Sequence, residues 1–231
     1  MKTLLVSATT LEVASTIKNL YPAAEIEEGP GKPGTLFLGE TIDCLISGVG
    51  QMQSGVQISR QLQRDSYGYA VQAGLAGSFY PALPKRSVVV VSEEALADLG
   101  AEDLEGFLDL FNMGLMERDE PPFAGGCLRA PVCELASLHQ LPRARSVTVN
   151  RVLSHPSSIE WVRQRYDPEI VNMEGAAFLY ACLLNGIPCV SLRSISDFVG
   201  PRDKSMWDIP GAVTALNVVV SSVLKELESL S

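Results

Sequence analysis

Ile170-Val171-Asn172-Met173-Glu174-Gly175-Ala176-Ala177 and then Cys189-Val190-Ser191-Leu192-Arg193-Ser194-Ile195-Ser196-Asp197 are two short β-rich runs on either side of a segment that is apolar almost all round. Ala176, Ala177, Phe178, Leu179, Ala181, Cys182 and Leu183 leave that segment, Glu174 to Leu184, without a polar stripe, and Asn185-Gly186 ends it. A helix with so little polar surface is buried. The order is therefore strand, buried helix, strand. In an open α/β sheet, groups at the carboxyl ends of strands project into the ligand crevice. Glu174 leaves the first strand and Asp197 the second, so one βαβ unit delivers two carboxylates to a common site.

The same alternation runs through the rest of the chain. Thr3 to Ser7 reads as a strand before a helix from about Thr10 to Leu20, and Ile42 to Ser47 as a strand before a helix from about Gln51 to Arg64. Thr35 to Leu38, Tyr69 to Ala73, Ser87 to Val91, Arg145 to Val152, Glu169 to Met173 and Pro188 to Ser194 add strands, and Ala212 to Leu227 a closing helix. Gly39-Glu40-Thr41 joins two of these strands as a hairpin, which makes the sheet mixed. Ser157-Ser158-Ile159-Glu160 has capping-box spacing behind Pro156, and Tyr166-Asp167-Pro168 stops the helix it opens. The expected fold is α/β, a three-layer single domain over residues 1–231 with a central mixed β-sheet flanked by helices. The segment of about 92–126 fits least well. Its acidic residues (Glu93, Glu94, Asp98, Glu102, Asp103, Glu105), Pro121-Pro122 and Gly125-Gly126 read as an insertion over the sheet edge, of the kind that forms a lid or binding loop.

Composition narrows the function. A chain of 231 residues, 46% hydrophobic, supports one large core. No stretch approaches 18 consecutive apolar residues, and Met1-Lys2-Thr3-Leu4-Leu5-Val6-Ser7 reads as a first strand rather than a signal peptide, so no membrane partner is expected. Five cysteines (Cys44, Cys127, Cys133, Cys182, Cys189) are odd in number and form no C-x-x-C pair, which points to a reducing cytoplasm and away from a zinc site or other metal. Acidic residues outnumber basic ones 27 to 18, for a net charge of -9, and the basic residues are scattered. Nucleic acid is excluded as a partner, because phosphate neutralisation needs a concentrated basic face.

Several residues are candidates for chemistry. Taken singly, Glu174 has an ordinary role at a helix N-terminus and Asp197 in a turn before Gly200-Pro201. Arg193, inside an apolar run, requires a buried anionic partner. Gly48-Val49-Gly50-Gln51-Met52-Gln53 lacks the third glycine of a dinucleotide fingerprint, so no such cofactor is expected. His139 and His155 read as surface or capping residues, Cys44, Cys182 and Cys189 as core thiols and Trp161 as a packing residue. Trp207 follows Asp197 in a loop and is a candidate to approach a ligand.

Val171-Asn172-Met173-Glu174-Gly175-Ala176-Ala177 together with Arg193-Ser194-Ile195-Ser196-Asp197 resembles the paired signature of the nucleoside phosphorylase and nucleosidase superfamily. Gly48-Val49-Gly50 before a helix and Gly74-Leu75-Ala76-Gly77 after a strand agree in order and spacing. The resemblance spans nearly the whole chain. It implies a nucleoside phosphorylase-like fold, a small-molecule purine nucleoside as ligand, no cofactor, and at least a homodimer. It further implies that Asp197 donates a proton to purine N7, that Met173 and Glu174 contact the ribose, and that Arg193 and Ser196 belong to the substrate-binding set. Glu12, after the first strand in Ser7-Ala8-Thr9-Thr10-Leu11-Glu12-Val13, stands where nucleosidases of this superfamily place the glutamate that activates water. A phosphorylase must hold a phosphate dianion with Arg and close backbone amides. This loop has neither Arg nor Gly, which favours hydrolysis.

Ser92-Glu93-Glu94-Ala95-Leu96-Ala97-Asp98-Leu99-Gly100-Ala101 and Gly106-Phe107-Leu108-Asp109-Leu110 resemble the futalosine hydrolases, nucleosidases that remove hypoxanthine from futalosine on a menaquinone pathway. Leu75 and Ala76 replace a small polar residue of the nucleosidase pattern, and Val149-Asn150-Arg151-Val152 lacks the aromatic residue that stacks on adenine. The first removes one candidate ligand for the attacking water, and the second alters base recognition in a way hypoxanthine tolerates and adenine does not. Methylthioadenosine/S-adenosylhomocysteine nucleosidase, purine nucleoside phosphorylase and a non-catalytic nucleoside-binding protein remain the alternatives.

Overall fold

In the computed structural model, which describes residues 1–26, 29–102, 104 and 106–230, alternate residues of the first strand serve two different cores. Leu4 and Val6 pack on one face of the sheet and Leu5 on the other. A strand buried on both faces lies in a layered α/β sheet. The elements are β1 (Thr3–Ser7), α1 (Thr10–Leu20), β2 (Thr35–Phe37), β3 (Ile42–Ile46), α2 (Gln51–Arg64), β4 (Tyr69–Ser78), β5 (Val88–Leu96), β6 (Gly100–Glu102), β7 (Phe107–Asp109), β8 (Phe123–Ala124), β9 (Cys127–Arg129), β10 (Arg143–Thr148), α3 (Pro156–Tyr166), β11 (Ile170–Asn172), α4 (Gly175–Leu184), β12 (Cys189–Phe198) and α5 (Ile209–Ser229). Helices α1 and α5 cover one face, with Val13, Ile17, Leu216, Val220 and Leu224 in the core there. Ile58 of α2 and Phe178 and Leu179 of α4 fill the other. The expected three-layer α/β architecture with a mixed sheet is what forms, and no helix among the described residues is long and apolar enough to cross a membrane.

The sheet departs from a simple open one. Strand order is β2-β3-β1-β4-β11-β10-β5-β9-β8, and β12 pairs with both β4 and β5. Five strands (β4, β11, β10, β5, β12) therefore close into a ring. The expected βαβ unit is corrected by this closure: β11 runs antiparallel to β4 while β12 runs parallel to it, so α4 joins strands that reach the site from opposite directions. Ring closure also explains why three strands outrun their expected ends. β4, β5 and β12 continue to Ser78, Leu96 and Phe198 because each has ladder partners on both edges, and Gly74-Leu75-Ala76-Gly77 lies within a strand instead of after one.

Two local expectations also change. The third helix starts at Pro156, with His155 as its N-cap and no capping box at Ser157; Pro fits the first helical position because its missing N–H is unpaired there anyway. Ser157 Oγ bonds His155 Nδ1 instead, at 2.8 Å. Within the 92–126 segment, residues to Leu96 belong to the central sheet, β6 and β7 form a separate ribbon, and β8 and β9 extend the sheet beyond β5. Asp103 and Glu105 lie outside the described residues.

Helix α1 is broken at Val13 (φ -128°, ψ 17°). The side chain of Asn217, buried on α5, stands in for the helical bond between Thr16 N–H and Glu12 C=O. Its Nδ2 donates to the Glu12 carbonyl at 2.8 Å and its Oδ1 accepts from Thr16 N–H at 3.1 Å. A side chain inserted into the i to i−4 ladder is a recognised cause of a kink. Replacing Asn217 with Leu strands two buried main-chain groups and should cost about 2–4 kcal/mol in urea unfolding. Val218→Ala, one residue on but 66% exposed, should change stability by less than about 0.5 kcal/mol; equal effects would refute the inserted-amide account.

Candidate active site

One edge of β4 is shared by two strands with a gap between them. Its first half pairs with β1 as far as Gln72, and β11 takes over at Gly77. Main-chain groups facing the gap need other partners. Leu75 N–H donates to Glu12 Oε1 at 3.1 Å, so the break in the ladder is where the carboxylate of α1 enters. Glu12 Oε2 accepts from Thr9 N–H at 2.9 Å, Thr9 Oγ1 at 3.1 Å and Ser7 Oγ at 3.1 Å. Four donors hold both oxygens of Glu12.

Glu174 occupies the N-cap position of α4, yet its side chain makes no capping bond. Other residues do that work. Asn172 Oδ1 accepts from Glu174 N–H at 2.9 Å and Gly175 N–H at 2.6 Å, and Thr148 Oγ1 accepts from Ala176 N–H at 2.8 Å. With the helix start capped elsewhere, the Glu174 carboxylate is free to face the crevice. Its Oε1 accepts from Gly50 N–H at 2.8 Å, and its Oε2 lies 3.8 Å from Arg193 Nη1. Burial pushes the Glu174 carboxyl above the usual glutamate range, opposed by Arg193 and by the Gly50 amide.

Arg193 is 1% exposed and has the anionic partner its sequence context requires. Its Nη2 donates to Gln72 Oε1 at 2.6 Å, and Gln72 also accepts from Ser191 Oγ at 3.0 Å. A second buried carboxylate, Glu94, sits behind Glu174. It accepts from Thr148 Oγ1 at 2.8 Å and from Asn172 Nδ2 at 3.0 and 3.1 Å. Burial pushes Glu94 up to about 7, against the pull of Arg193 and of these hydrogen bonds.

Asp197 is half-buried near the end of β12, and Ser196 Oγ donates to its Oδ1 at 2.6 Å. Burial raises its carboxyl above the ordinary aspartate range, with Ser196 and the more distant charge of Lys85 opposing. Glu12, Met173, Glu174, Ser196 and Asp197 line one cavity of about 300 Å³, whose remaining walls are mostly aliphatic and include Val149, Val152, Leu153 and Val213. Trp207 also lines it, with Arg202 5.9 Å from its ring centre. Arg193 lies behind the wall rather than in it, and no Lys or Arg among the described residues faces the space. No group of three or more His, Cys, Asp or Glu side chains among the described residues is arranged to hold a metal ion.

Five of the six site residues read from the sequence thus line one cavity, and the sixth, Arg193, stands behind Glu174. Trp161 instead packs edge-on against Phe107 and Tyr166, and Cys44, Cys182 and Cys189 are buried thiols. Sequence reasoning missed Gln72, Thr148 and Asn217, and it took Glu94 for part of an acidic loop. For Glu94 a signal was present: it follows the apolar run Val88 to Val91 closely enough to share its strand.

Residues 2–225 match the phosphorylase superfamily, and the chain belongs to that family. It is 32% identical to the futalosine hydrolase of Thermus thermophilus over 85% of this chain and 84% of that one. Identity to the futalosine hydrolase of Streptomyces coelicolor is 29%, over 99% and 97%. The fold is shared with the solved 5′-methylthioadenosine/S-adenosylhomocysteine nucleosidase of Colwellia psychrerythraea in complex with adenine, at a TM-score of 0.78 and 23% identity over 98% and 96% of the two chains.

Gly74 offers a direct test of the site's packing. A Cβ there would fall on Arg193 Nη1 and come within 3.4 Å of Glu12 Oε1. Gly74→Ala should therefore destabilise the protein by about 1–3 kcal/mol in urea unfolding through overpacking. No loss of stability would show that the guanidinium is not confined as described.

Proposed function

We propose that this chain is a purine nucleosidase that hydrolyses the N-glycosidic bond of futalosine, releasing hypoxanthine and dehypoxanthinylfutalosine for menaquinone synthesis. The observation that carries hydrolysis is the lining of the cavity: Glu12, Glu174 and Asp197 face it, and no cationic side chain among the described residues does. A phosphate dianion entering that space would meet carboxylates with no guanidinium or ammonium group to pair with. Water is the nucleophile such a site accepts. The similarity to two futalosine hydrolases supports the substrate, as does the aliphatic wall of Val149, Val152 and Leu153 where an adenine-stacking aromatic residue is absent from the sequence.

Cleavage develops positive charge on the sugar and negative charge on the leaving purine. Asp197, kept protonated further up the pH scale by burial, donates its proton to N7, with Ser196 orienting the carboxyl. Glu174 accepts hydrogen bonds from the ribose hydroxyls, held in place by Gly50 N–H and Arg193. Met173 packs against the sugar as a polarizable surface. Glu12, its orientation set by four donors, takes the proton of the attacking water. The chemistry asks for no metal or cofactor.

The working unit is proposed to be a homodimer or a larger homo-oligomer. Leu11, Val49 and Val152 line the cavity and are also exposed, an apolar rim suited to a neighbouring subunit. The segment of about 92–126 is proposed as a lid from its sequence alone, since none of its residues lines the cavity. A reducing cytoplasm is proposed from the five free thiols.

In phosphate-free buffer the protein should release hypoxanthine from futalosine with a higher kcat/KM than it releases adenine from methylthioadenosine, and added phosphate should not accelerate it. Preference for methylthioadenosine would overturn the substrate, and phosphate-dependent cleavage would overturn hydrolysis.

Asp197→Asn should keep ligand binding and lose about 10²–10⁴-fold in kcat, because the amide has no acidic proton to give. The wild-type rate should persist above the pH where an ordinary aspartate ionises and decline as Asp197 loses its proton, since the protonated form is the active one. Glu12→Gln should abolish hydrolysis in a folded protein. A rate within about threefold of wild type for either variant would refute its role.

A further inference from the structure

Glu94 is fully buried, and no step above uses it. An ionised carboxylate in such a place is costly unless its partners are specific. Two of its donors, Thr148 Oγ1 and Asn172 Nδ2, belong to side chains that also cap α4, and Ser146, to which Asn172 Nδ2 donates at 2.8 Å, is a third hydrogen-bonding neighbour. Each side chain serves both functions at once, so one fixes the other. Asn172 turns its amide nitrogen to Glu94, which leaves only its oxygen to face Glu174 N–H and Gly175 N–H. Thr148 gives its one hydroxyl proton to Glu94, so towards Ala176 N–H it is purely an acceptor.

We propose that Glu94 is a positioning residue for Glu174: by accepting from Asn172 and Thr148 it orients both caps, fixes the first turn of α4, and so sets where the Glu174 carboxylate stands in the cavity. Two further observations agree. A Cβ at Gly175 would fall on the Glu94 carboxylate, so the bare backbone there is what lets the group sit beneath the turn. Arg193, whose Nη1 lies 3.8 Å from Glu174 Oε2, acts electrostatically on both carboxylates, so the charge at position 94 bears on the group that pairs with Glu174. An uncharged, hydrogen-bonding group at position 94 breaks this logic. A glutamine keeps an acceptor at Oε1, where both Thr148 Oγ1 and Asn172 Nδ2 donate, but presents N–H at Oε2, where Asn172 Nδ2 also donates, so the clash falls on Asn172 and loosens the cap it provides.

The inference rests on the nucleosidase reading, and its test separates the two. Amide hydrogen exchange in Glu94→Gln should accelerate at Glu174, Gly175 and Ala176 relative to wild type, with the interior of α4 unchanged. With futalosine in phosphate-free buffer, Glu94→Gln should lower kcat/KM by about 10- to 100-fold, the size expected for a charge-assisted hydrogen bond. Combined with Glu174→Gln it should lower it little further, because the first change acts through the second residue. Unchanged exchange, or losses that multiply in the double variant, would overturn the positioning role; a wild-type protein that cleaves no nucleoside would overturn the nucleosidase reading alone. If Glu94→Gln does not fold, Thr148→Val enters the same cycle with the same expectations, and independent losses there overturn the proposal equally.

Discussion

A guanidinium taken entirely out of water constrains more of this molecule than any other group. Arg193 is among the largest fully buried side chains, and an unpaired charge in that position would be strongly destabilising. Gln72 accepts from one of its terminal nitrogens, Glu174 lies against the other, Nε has no hydrogen-bond partner, and position 74 has no side chain. Glu174 then has a fixed counter-charge and a fixed direction before any ligand arrives. A carboxylate placed this way has little freedom left to lose on binding, which is the physical content of preorganisation.

The sheet supplies the space. Because β1 leaves β4 after Gln72 and β11 joins only at Gly77, a window opens in the ladder on a strand otherwise held on both edges. Glu12 reaches Leu75 through that window, with the main-chain break that aims it repaired from α5 by Asn217. Glu174 and Asp197 follow strands that approach from opposite directions, so the carboxylates face a common volume without standing on one element.

Much of this was legible in the sequence, for identifiable reasons. Apolar β-rich runs and the almost all-apolar Glu174 to Leu184 segment revealed strands and a buried helix. Of the residues taken from the family resemblance, Glu12, Met173, Glu174, Ser196 and Asp197 line one cavity with Arg193 behind its wall. Strand ends were read short at Ala73, Val91 and Ser194 because ring closure is a property of long-range pairing, and nothing local in Gly74-Leu75-Ala76-Gly77 distinguishes a loop from a strand edge left open. Glu94 was hidden for a related reason. Beside Glu93 and Asp98 it looks like one more solvated acid, and only the pairing of β5 with β10 turns it inward to Thr148. The Ser157 capping box failed because Pro156 starts the helix by itself.

The acidic lining has a kinetic side as well. The chain carries a net charge of -9, and Glu12, Glu174 and Asp197 line the cavity with no cationic side chain among the described residues facing it, so the field a ligand meets there is negative in sign. A nucleoside that carries its own carboxylate diffuses in against that field, which extends about 8 Å at physiological ionic strength and shrinks as salt is added. Capture of such a ligand therefore quickens with ionic strength, opposite in sign to enzymes that draw substrates in by complementary charge. On the proposed nucleosidase reading, the field that delays encounter is also the one that favours the positive charge a sugar acquires as its glycosidic bond breaks.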